Sequence, residues 1–166
     1  MTAKGREGIV GGEAVRVHDT TLVEIGENVD DGPPAYDGIR ATSATITGCT
    51  VEAADRDGIS LTSGGSITAS SVMGCRRNGI LTGAVEEPQG PAVAEALQGQ
   101  GTSISECTVS ENSHCGISGA WRTKVTDCTI TRNGTRIAKD NYKGGGAWLG
   151  WQCWLSTSTV SDNDGL

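Results

Sequence analysis

Four residues suited to acid–base chemistry precede copies of a glycine–aliphatic pair that recurs along the chain. Asp37 and Asp57 stand directly before two copies, and Arg77 and His114 lie one position further upstream of two later ones. If these segments stack in register, the two carboxylates come about 5 Å apart, the spacing of neighbouring strands. Like charges at that distance raise the pKa of one carboxyl group, which would suit a general acid beside an ionised partner.

Other side chains near these positions could bind a substrate. Arg76 or Arg77 could neutralise an acidic sugar, and His114 could hold or relay a proton. Trp148 takes the outward-facing position of its segment and could stack its indole on a sugar ring, whereas Trp151 and Trp154 would cover an edge of the fold. The predicted catalytic residues are thus Asp37, Asp57 and His114, and the predicted substrate-binding residues are Arg76, Arg77 and Trp148.

The acidic positions also have two other interpretations. Asp-Gly and Asn-Gly are common turn dipeptides, so these residues could serve the backbone alone. This turn interpretation applies to Asp37, Asp57, Asn78 and Asp164. A calcium ion held by Asp30, Asp31, Asp37 or Asp57 is the second alternative, because hard oxygen ligands cluster there, although no calcium-loop motif supports it. No other cofactor is expected, since no cysteine pair has the spacing of a metal motif.

An internal repeat positions these residues. Its core is an aliphatic residue, followed three positions later by a small residue, then Thr or Ser, then a second aliphatic. The six copies begin at Val17, Ile46, Ile67, Ile104, Val125 and Leu155. The second and third copies, like the fourth and fifth, are 21 residues apart. The longer intervals are explained by insertions within 26–36, 84–100 and 134–145.

Such a short unit cannot bury its own apolar face, but a stack of identical units can. The repeat therefore predicts an all-β parallel β-helix of about six coils of roughly 21 residues, with three loop insertions. Its narrow core would explain a chain with 25 glycines and no phenylalanine. Gly, Asn and Asp are expected to turn the corners, with a ladder of Asn112, Asn133 and Asn163 at one of them.

The repeats, such as Ile-Thr-Gly-Cys-Thr-Val-Glu-Ala-Ala-Asp-Arg-Asp-Gly-Ile at 46–59, resemble those of the right-handed parallel β-helix, or pectate-lyase-like, superfamily. The resemblance covers about 9–166 and implies a single-stranded, right-handed solenoid. The superfamily includes polygalacturonases, pectate lyases, alginate epimerases, phage tailspikes and non-catalytic surface proteins. Polygalacturonases carry catalytic Asp residues where Asp37 and Asp57 stand, but their Asp-Asp pair and Arg-Ile-Lys motif are absent here.

Two functions are therefore expected. In the first, the insertions wall a groove over the stacked glycine–aliphatic strands, which binds or processes an extended neutral or acidic polysaccharide by hydrolysis, lyase cleavage or epimerisation. In the second, the chain is a non-catalytic structural or adhesin segment of the tailspike or surface-protein kind. The resemblance suggests an extracellular, surface or virion location, although residues 1–8 show no signal-peptide core.

Charge and hydropathy narrow the range of partners. The net charge of -7 argues against broad binding to nucleic-acid phosphates. No apolar run approaches the roughly 18 residues of a membrane-spanning helix. Because both ends of 1–166 fall within incomplete coils, we expect one β-helix domain that is part of a longer helix, or whose ends a partner or a second copy covers.

Overall fold

The computed structural model describes residues 8–26, 36–83, 101–134 and 144–164, together with the backbone of 2–5. Within these ranges the chain is all-β, with seventeen strands and no helix. The strands are β1 (Thr2–Gly5), β2 (Ile9–Val10), β3 (Val15–His18), β4 (Thr21–Ile25), β5 (Ile39–Thr47), β6 (Thr50–Glu52), β7 (Ile59–Thr68), β8 (Ser71–Met73), β9 (Ile80–Thr82), β10 (Thr102–Ser105), β11 (Thr108–Ser110), β12 (Cys115–Trp121), β13 (Thr123–Thr126), β14 (Thr129–Thr131), β15 (Gly145–Trp151), β16 (Trp154–Ser156) and β17 (Thr159–Ser161). No helix among the described residues is long and apolar enough to cross a membrane.

The strands form two parallel sheets, and the chain alternates between them. The seven-stranded sheet has the order β1-β4-β6-β8-β11-β14-β17. The ten-stranded sheet contains the path β15-β12-β9-β7-β10-β13-β16, with β2, β3 and β5 joined to it beside β7. Each strand therefore pairs with its counterparts in the preceding and following repeats rather than with its neighbours along the chain. The predicted parallel, all-β arrangement is confirmed.

The pairing register matches the register of the sequence repeat. The first aliphatic positions form the column Val17, Ile46, Ile67, Ile104, Val125 and Leu155. The second aliphatic positions form the column Leu22, Val51, Val72, Val109, Ile130 and Val160. The glycine–aliphatic positions form the column Ile9, Ile39, Ile59, Ile80, Ile117 and Ala147. A repeat read from spacing alone thus predicts which residues are neighbours across the sheets.

These three columns build the core. Side chains alternate between the two faces of a strand, so the aliphatic member of each strand points inward and its neighbours point outward. Ile67, Ile104 and Ile130 are fully buried, as are the corresponding residues of the other inner repeats. Burying one such side chain contributes about 1.5–3 kcal/mol. The core is therefore a continuous stack of medium-sized aliphatic groups, which explains how the chain folds without phenylalanine.

The expected use of Gly, Asn and Asp at the corners is only partly right. Two positions in each repeat have a left-handed backbone, and residues of several other types occupy them. Ala53, Glu111 and Arg132 have φ values of 55°, 59° and 54°, each one position before the asparagine column or its equivalent. The ladder asparagines themselves are not left-handed. These asparagines serve the fold through their side-chain hydrogen bonds, and the strain of the turn falls on the preceding residue.

Candidate functional site

The predicted acidic pair lies in the turn that leads into β5 and β7. Asp37 precedes β5 and Asp57 precedes β7, and both side chains are buried, with 2 % and 0 % of their surface exposed. Asp37 Oδ1 accepts a hydrogen bond of 3.2 Å from the backbone N–H of Asp57. Asp57 Oδ1 in turn accepts from the backbone N–H of Asn78 at 3.0 Å and from its Nδ2 at 2.8 Å. The carboxylates thus hold successive turns together, which favours the turn interpretation of these residues.

Two arginines compensate the buried charge of Asp57. Its Oδ2 lies 3.4 Å from Arg56 Nε and 4.0 Å from Arg77 Nη1. Arg56 Nε is also 3.4 Å from Asp37 Oδ1, so one guanidinium serves both carboxylates. A buried carboxylate with hydrogen bonds on one oxygen and two cations near the other is well satisfied. Asp57 is inaccessible to solvent.

Asp37 is less well satisfied than Asp57. Its second oxygen, Oδ2, is buried and has no hydrogen-bond partner among the described residues. Burial raises the pKa of Asp37 above its ordinary value of 3.8, and the nearby Asp57 adds to this, while the hydrogen bond from Asp57 and the charges of Arg56 and Arg40 oppose it. The turn therefore holds two acidic groups with different environments, and the carboxyl group of Asp37 has one oxygen without a hydrogen-bond partner among the described residues.

We predict that Asp37→Asn stabilises the fold at neutral pH by about 1 kcal/mol, because an amide fills the same space without a buried charge. A carboxyl group whose pKa is raised by folding destabilises the native state above that pKa. This penalty fades as the pH falls through the raised value towards 3.8. The gain in the free energy of unfolding should therefore shrink between pH 7 and pH 4. Urea unfolding followed by circular dichroism across that range measures it.

Asp57→Asn is the matched control, and its effect should have the opposite sign. The amide would lose the attraction of Arg56 and Arg77. It would also place an N–H group where the carboxylate faces their guanidinium groups. Equal effects of the two substitutions at pH 7 would contradict the different environments described for the two carboxylates.

Arg77 and His114 belong to a neighbouring column of the same turn. The backbone N–H of Arg77 donates to the carbonyl oxygen of Arg56 at 3.0 Å, and the backbone N–H of His114 donates to the carbonyl oxygen of Arg77 at 3.0 Å. Burial and the charge of Arg77 lower the pKa of His114, and Asp57 partly opposes this. Arg76, which is exposed, forms an ion pair of 2.7 Å with the half-buried Asp55. The structure thus brings Asp37, Asp57, Arg77 and His114 to one turn, while Arg76 lies beside it.

The outward face of the glycine–aliphatic strands is a different surface from this turn. The residue after each aliphatic points outward and forms the column Arg40, Ser60, Leu81, Ser118 and Trp148. Trp148 is 51 % exposed, and Arg40 is exposed with no ion pair among the described residues. Arg40 is absent from the site predicted by sequence. The alternation of side chains along a strand is the signal that places it in the same column as Trp148.

The other tryptophans lie near the end of the described stack. Trp151 is 56 % exposed and packs against the buried Trp121, with ring centroids 4.7 Å apart and planes tilted by 39°. The guanidinium of Arg122 lies 5.7 Å from the centre of the Trp121 ring. Trp154 is 60 % exposed on β16. Trp148 is therefore the exposed tryptophan that shares a column with Arg40.

Some predicted features fall outside the described residues. Asp30 and Asp31, most of the three insertions and the glycine–aliphatic pair at 165–166 are among these. The groove walls and the calcium alternative that used Asp30 and Asp31 thus remain predictions. Among the described residues, no group of three or more His, Cys, Asp or Glu side chains could hold a metal ion.

No known protein family matches this chain, and no curated protein or solved structure does. A function must therefore be inferred from the residues themselves. The observations that bear on it are the burial of the acidic pair in a turn and the exposure of a tryptophan and an arginine on one strand face.

Proposed function

We propose that the chain is a right-handed parallel β-helix of the pectate-lyase-like kind that binds an extended polysaccharide without cleaving it. Two parallel sheets whose strands pair only between successive repeats support the helical fold. The right-handed sense follows from the superfamily resemblance and from the preference of parallel crossover connections for that hand. The binding surface is the outward face of the glycine–aliphatic strands.

The observation that carries this proposal is the shared column of Arg40 and Trp148. They lie on strands four steps apart, which is about 19 Å at the usual strand spacing. Between them, Leu81 and Ser118 are partly exposed and Ser60 is buried, so the proposed sugar contacts are made at the two ends of the column. An exposed indole offers an apolar face to a sugar ring, and a guanidinium with no ion pair among the described residues can donate to sugar oxygens or a uronate.

Absence of cleavage follows from the position of the acidic pair. A glycosidase needs one carboxyl group at the leaving oxygen and another at the sugar ring or its attacking water. Asp37 and Asp57 are both inward-facing, and Asp57 already accepts two hydrogen bonds and faces two arginines. Hydrolysis, lyase cleavage or epimerisation by Asp37, Asp57 and His114 would require this turn to open.

A panel of neutral and acidic polysaccharides, measured by calorimetry, tests the binding. We expect Trp148→Ala and Arg40→Ala each to weaken binding of the recognised glycan at least tenfold, which corresponds to about 1.4 kcal/mol. Trp154→Ala is the matched control, since it removes an equally exposed indole from a different strand and should leave the affinity unchanged. Equal losses for all three variants would contradict a site on this column.

The same panel separates binding from catalysis. Reducing-end and unsaturated-product assays on each glycan should give no product for the wild-type chain. If the wild-type chain forms product and Asp57→Asn does not, the non-catalytic proposal is overturned and the interpretation of the chain as an enzyme is supported. No binding to any glycan would instead support the second candidate, a structural or adhesin segment. The hydrogen bonds by which Asp37 and Asp57 join successive turns support that candidate, because they give the predicted reactive groups a role in the fold.

A further inference from the structure

Cysteine side chains occur in one inward column of the repeat, at the small position that precedes Thr or Ser. The column runs through Thr20, Cys49, Ser70, Cys107, Cys128 and Ser158. Cys49 has the hydroxyl of Ser70 as its neighbour, since its backbone N–H donates to Ser70 Oγ at 3.1 Å. Among the six cysteines, all of which are free thiols, Cys107 and Cys128 alone occupy the same position in successive repeats.

Cys107 and Cys128 contact each other in the core. The pairing of Thr108 with Thr129 and the 2.9 Å hydrogen bond from Thr129 N–H to Cys107 O place the two residues side by side on adjacent strands. Neighbouring parallel strands put their Cα atoms about 4.8 Å apart, within the range of about 4.4–6.8 Å that a disulfide spans. Each Sγ donates to a backbone carbonyl oxygen, Cys107 to Ser105 at 3.1 Å and Cys128 to Thr126 at 3.3 Å. The Cβ atoms of in-register residues are also about 4.8 Å apart, slightly beyond the roughly 3.5–4.5 Å of a disulfide, so the cross-link needs a rotation of the side chains and a small local approach of the two strands.

We propose that Cys107 and Cys128 form a disulfide between successive repeats when the protein meets a small disulfide oxidant. The Cys128 thiolate attacks one sulfur of the oxidant, and the other sulfur leaves as a thiolate. The Cys107 thiolate then attacks the Cys128 sulfur of this mixed disulfide and releases the second oxidant thiolate. The two protein thiols give up two electrons and two protons, and the disulfide oxidant becomes two thiols.

The environment of the pair supports this order of attack. The interaction of the two neighbouring thiols lowers the pKa of Cys128 and raises that of Cys107, so Cys128 is the first nucleophile. Burial has the opposite effect on isolated thiols, as it raises the pKa of Cys75 to about 12. Because Cys107 and Cys128 are 1 % and 2 % exposed, the oxidant reaches them only when the stack opens locally.

To test the proposal, the full chain is equilibrated with oxidised glutathione in low urea, the urea is then removed, and the product is analysed by mass spectrometry. We expect the intact mass to fall by two hydrogen atoms and a peptide from 125–132 to be linked to one from 78–122. Cys107→Ser and Cys128→Ser should each abolish the link, and serine is already present in this column at Ser70 and Ser158. Cys115→Ser should preserve it, which distinguishes Cys107 from the other cysteine of 78–122. Retention of all six thiols, or a link that survives Cys107→Ser, would overturn the proposal.

The cross-link should also make the fold more stable, because it closes a loop of about 21 residues in the unfolded chain. We expect the melting temperature of the oxidised chain to rise by about 5 °C and to return to its starting value on reduction. An oxidised chain that melts at or below the temperature of the reduced one would show that the disulfide distorts the stack, contrary to the geometry described here.

Discussion

Gly58→Ala should destabilise the protein by about 3 kcal/mol, although it adds a single methyl group. A Cβ atom at this position would lie 2.7 Å from the carbonyl oxygen of Gly79 and 2.9 Å from Cys75 Sγ, and still closer to a methyl group of Val72. The Gly79 oxygen already accepts the 2.9 Å hydrogen bond from Ile59 N–H that joins the two repeats. The added methyl group therefore forces apart the backbones of two paired strands as well as the core.

The matched control for Gly58 is Gly12, where an added Cβ would meet no atom within 4 Å. Gly12→Ala should leave the free energy of unfolding unchanged or raise it by about 0.5 kcal/mol, because alanine restricts the unfolded chain. Urea unfolding of both variants provides the comparison. A cost below about 1 kcal/mol for Gly58→Ala would mean that the turns can separate easily, and the close approach of successive repeats would then not be what requires glycine here.

The close approach of successive repeats explains why the glycine–aliphatic pair recurs recognisably in the sequence. At Gly38, Gly58, Gly79 and Gly116 an added Cβ would clash with the next repeat's backbone and with a core side chain. A steric demand that recurs in every repeat leaves the same residue type at the same spacing. The aliphatic columns recur for a similar reason, since each must fill a core of constant width. Strand positions, pairing register and the buried columns were therefore predictable.

The role of the acidic pair was not predictable in the same way. Asp37 and Asp57 lie two positions before a strand, where the alternation of side chains does not yet determine which face a residue takes. Their spacing predicts that they are neighbours, and it is equally compatible with a reactive pair and with a ladder inside the turn. The decisive facts are the buried backbone N–H groups of Asp57 and Asn78, which need acceptors, and these depend on the three-dimensional path of the turn.

Buried backbone N–H groups also receive side-chain acceptors at the asparagine corner, but there the hydrogen bonds run in the opposite direction along the stack. In the acidic ladder a side chain accepts from the backbone of the following repeat, as Asp37 does from Asp57. In the asparagine ladder it accepts from the preceding repeat, as Asn133 does from Asn112. Asparagine can also donate, so its ladder needs no arginine, whereas the carboxylates depend on Arg56. Neutral ladders should therefore tolerate changes of pH and salt better than the acidic one.

Asn133→Ala should cost about 3 kcal/mol or more, because Asn133 is fully buried and all its polar atoms are engaged. Its Oδ1 accepts from the backbone N–H and the Nδ2 of Asn112 at 3.1 and 2.9 Å. Its Nδ2 donates to the carbonyl oxygens of Val109 and Thr131, both at 3.1 Å. Truncation removes these hydrogen bonds, leaves the buried backbone N–H of Asn112 without this acceptor and opens a cavity. The free energy of unfolding in urea measures the loss.

Asn133→Asp separates the contribution of the hydrogen bonds to stability from the contribution of the side-chain volume. Aspartate fills the same space and can still accept from Asn112, but it cannot donate to Val109 and Thr131 and it adds a buried charge. It should therefore be at least as destabilising as alanine at pH 7, and part of the loss should be recovered as the pH falls, because a protonated carboxyl group donates one hydrogen bond. Asn163→Ala is the milder control, since Asn163 is only half-buried. If Asn133→Asp retained wild-type stability at pH 7, packing alone would hold this corner, and the ladder of donors would be dispensable.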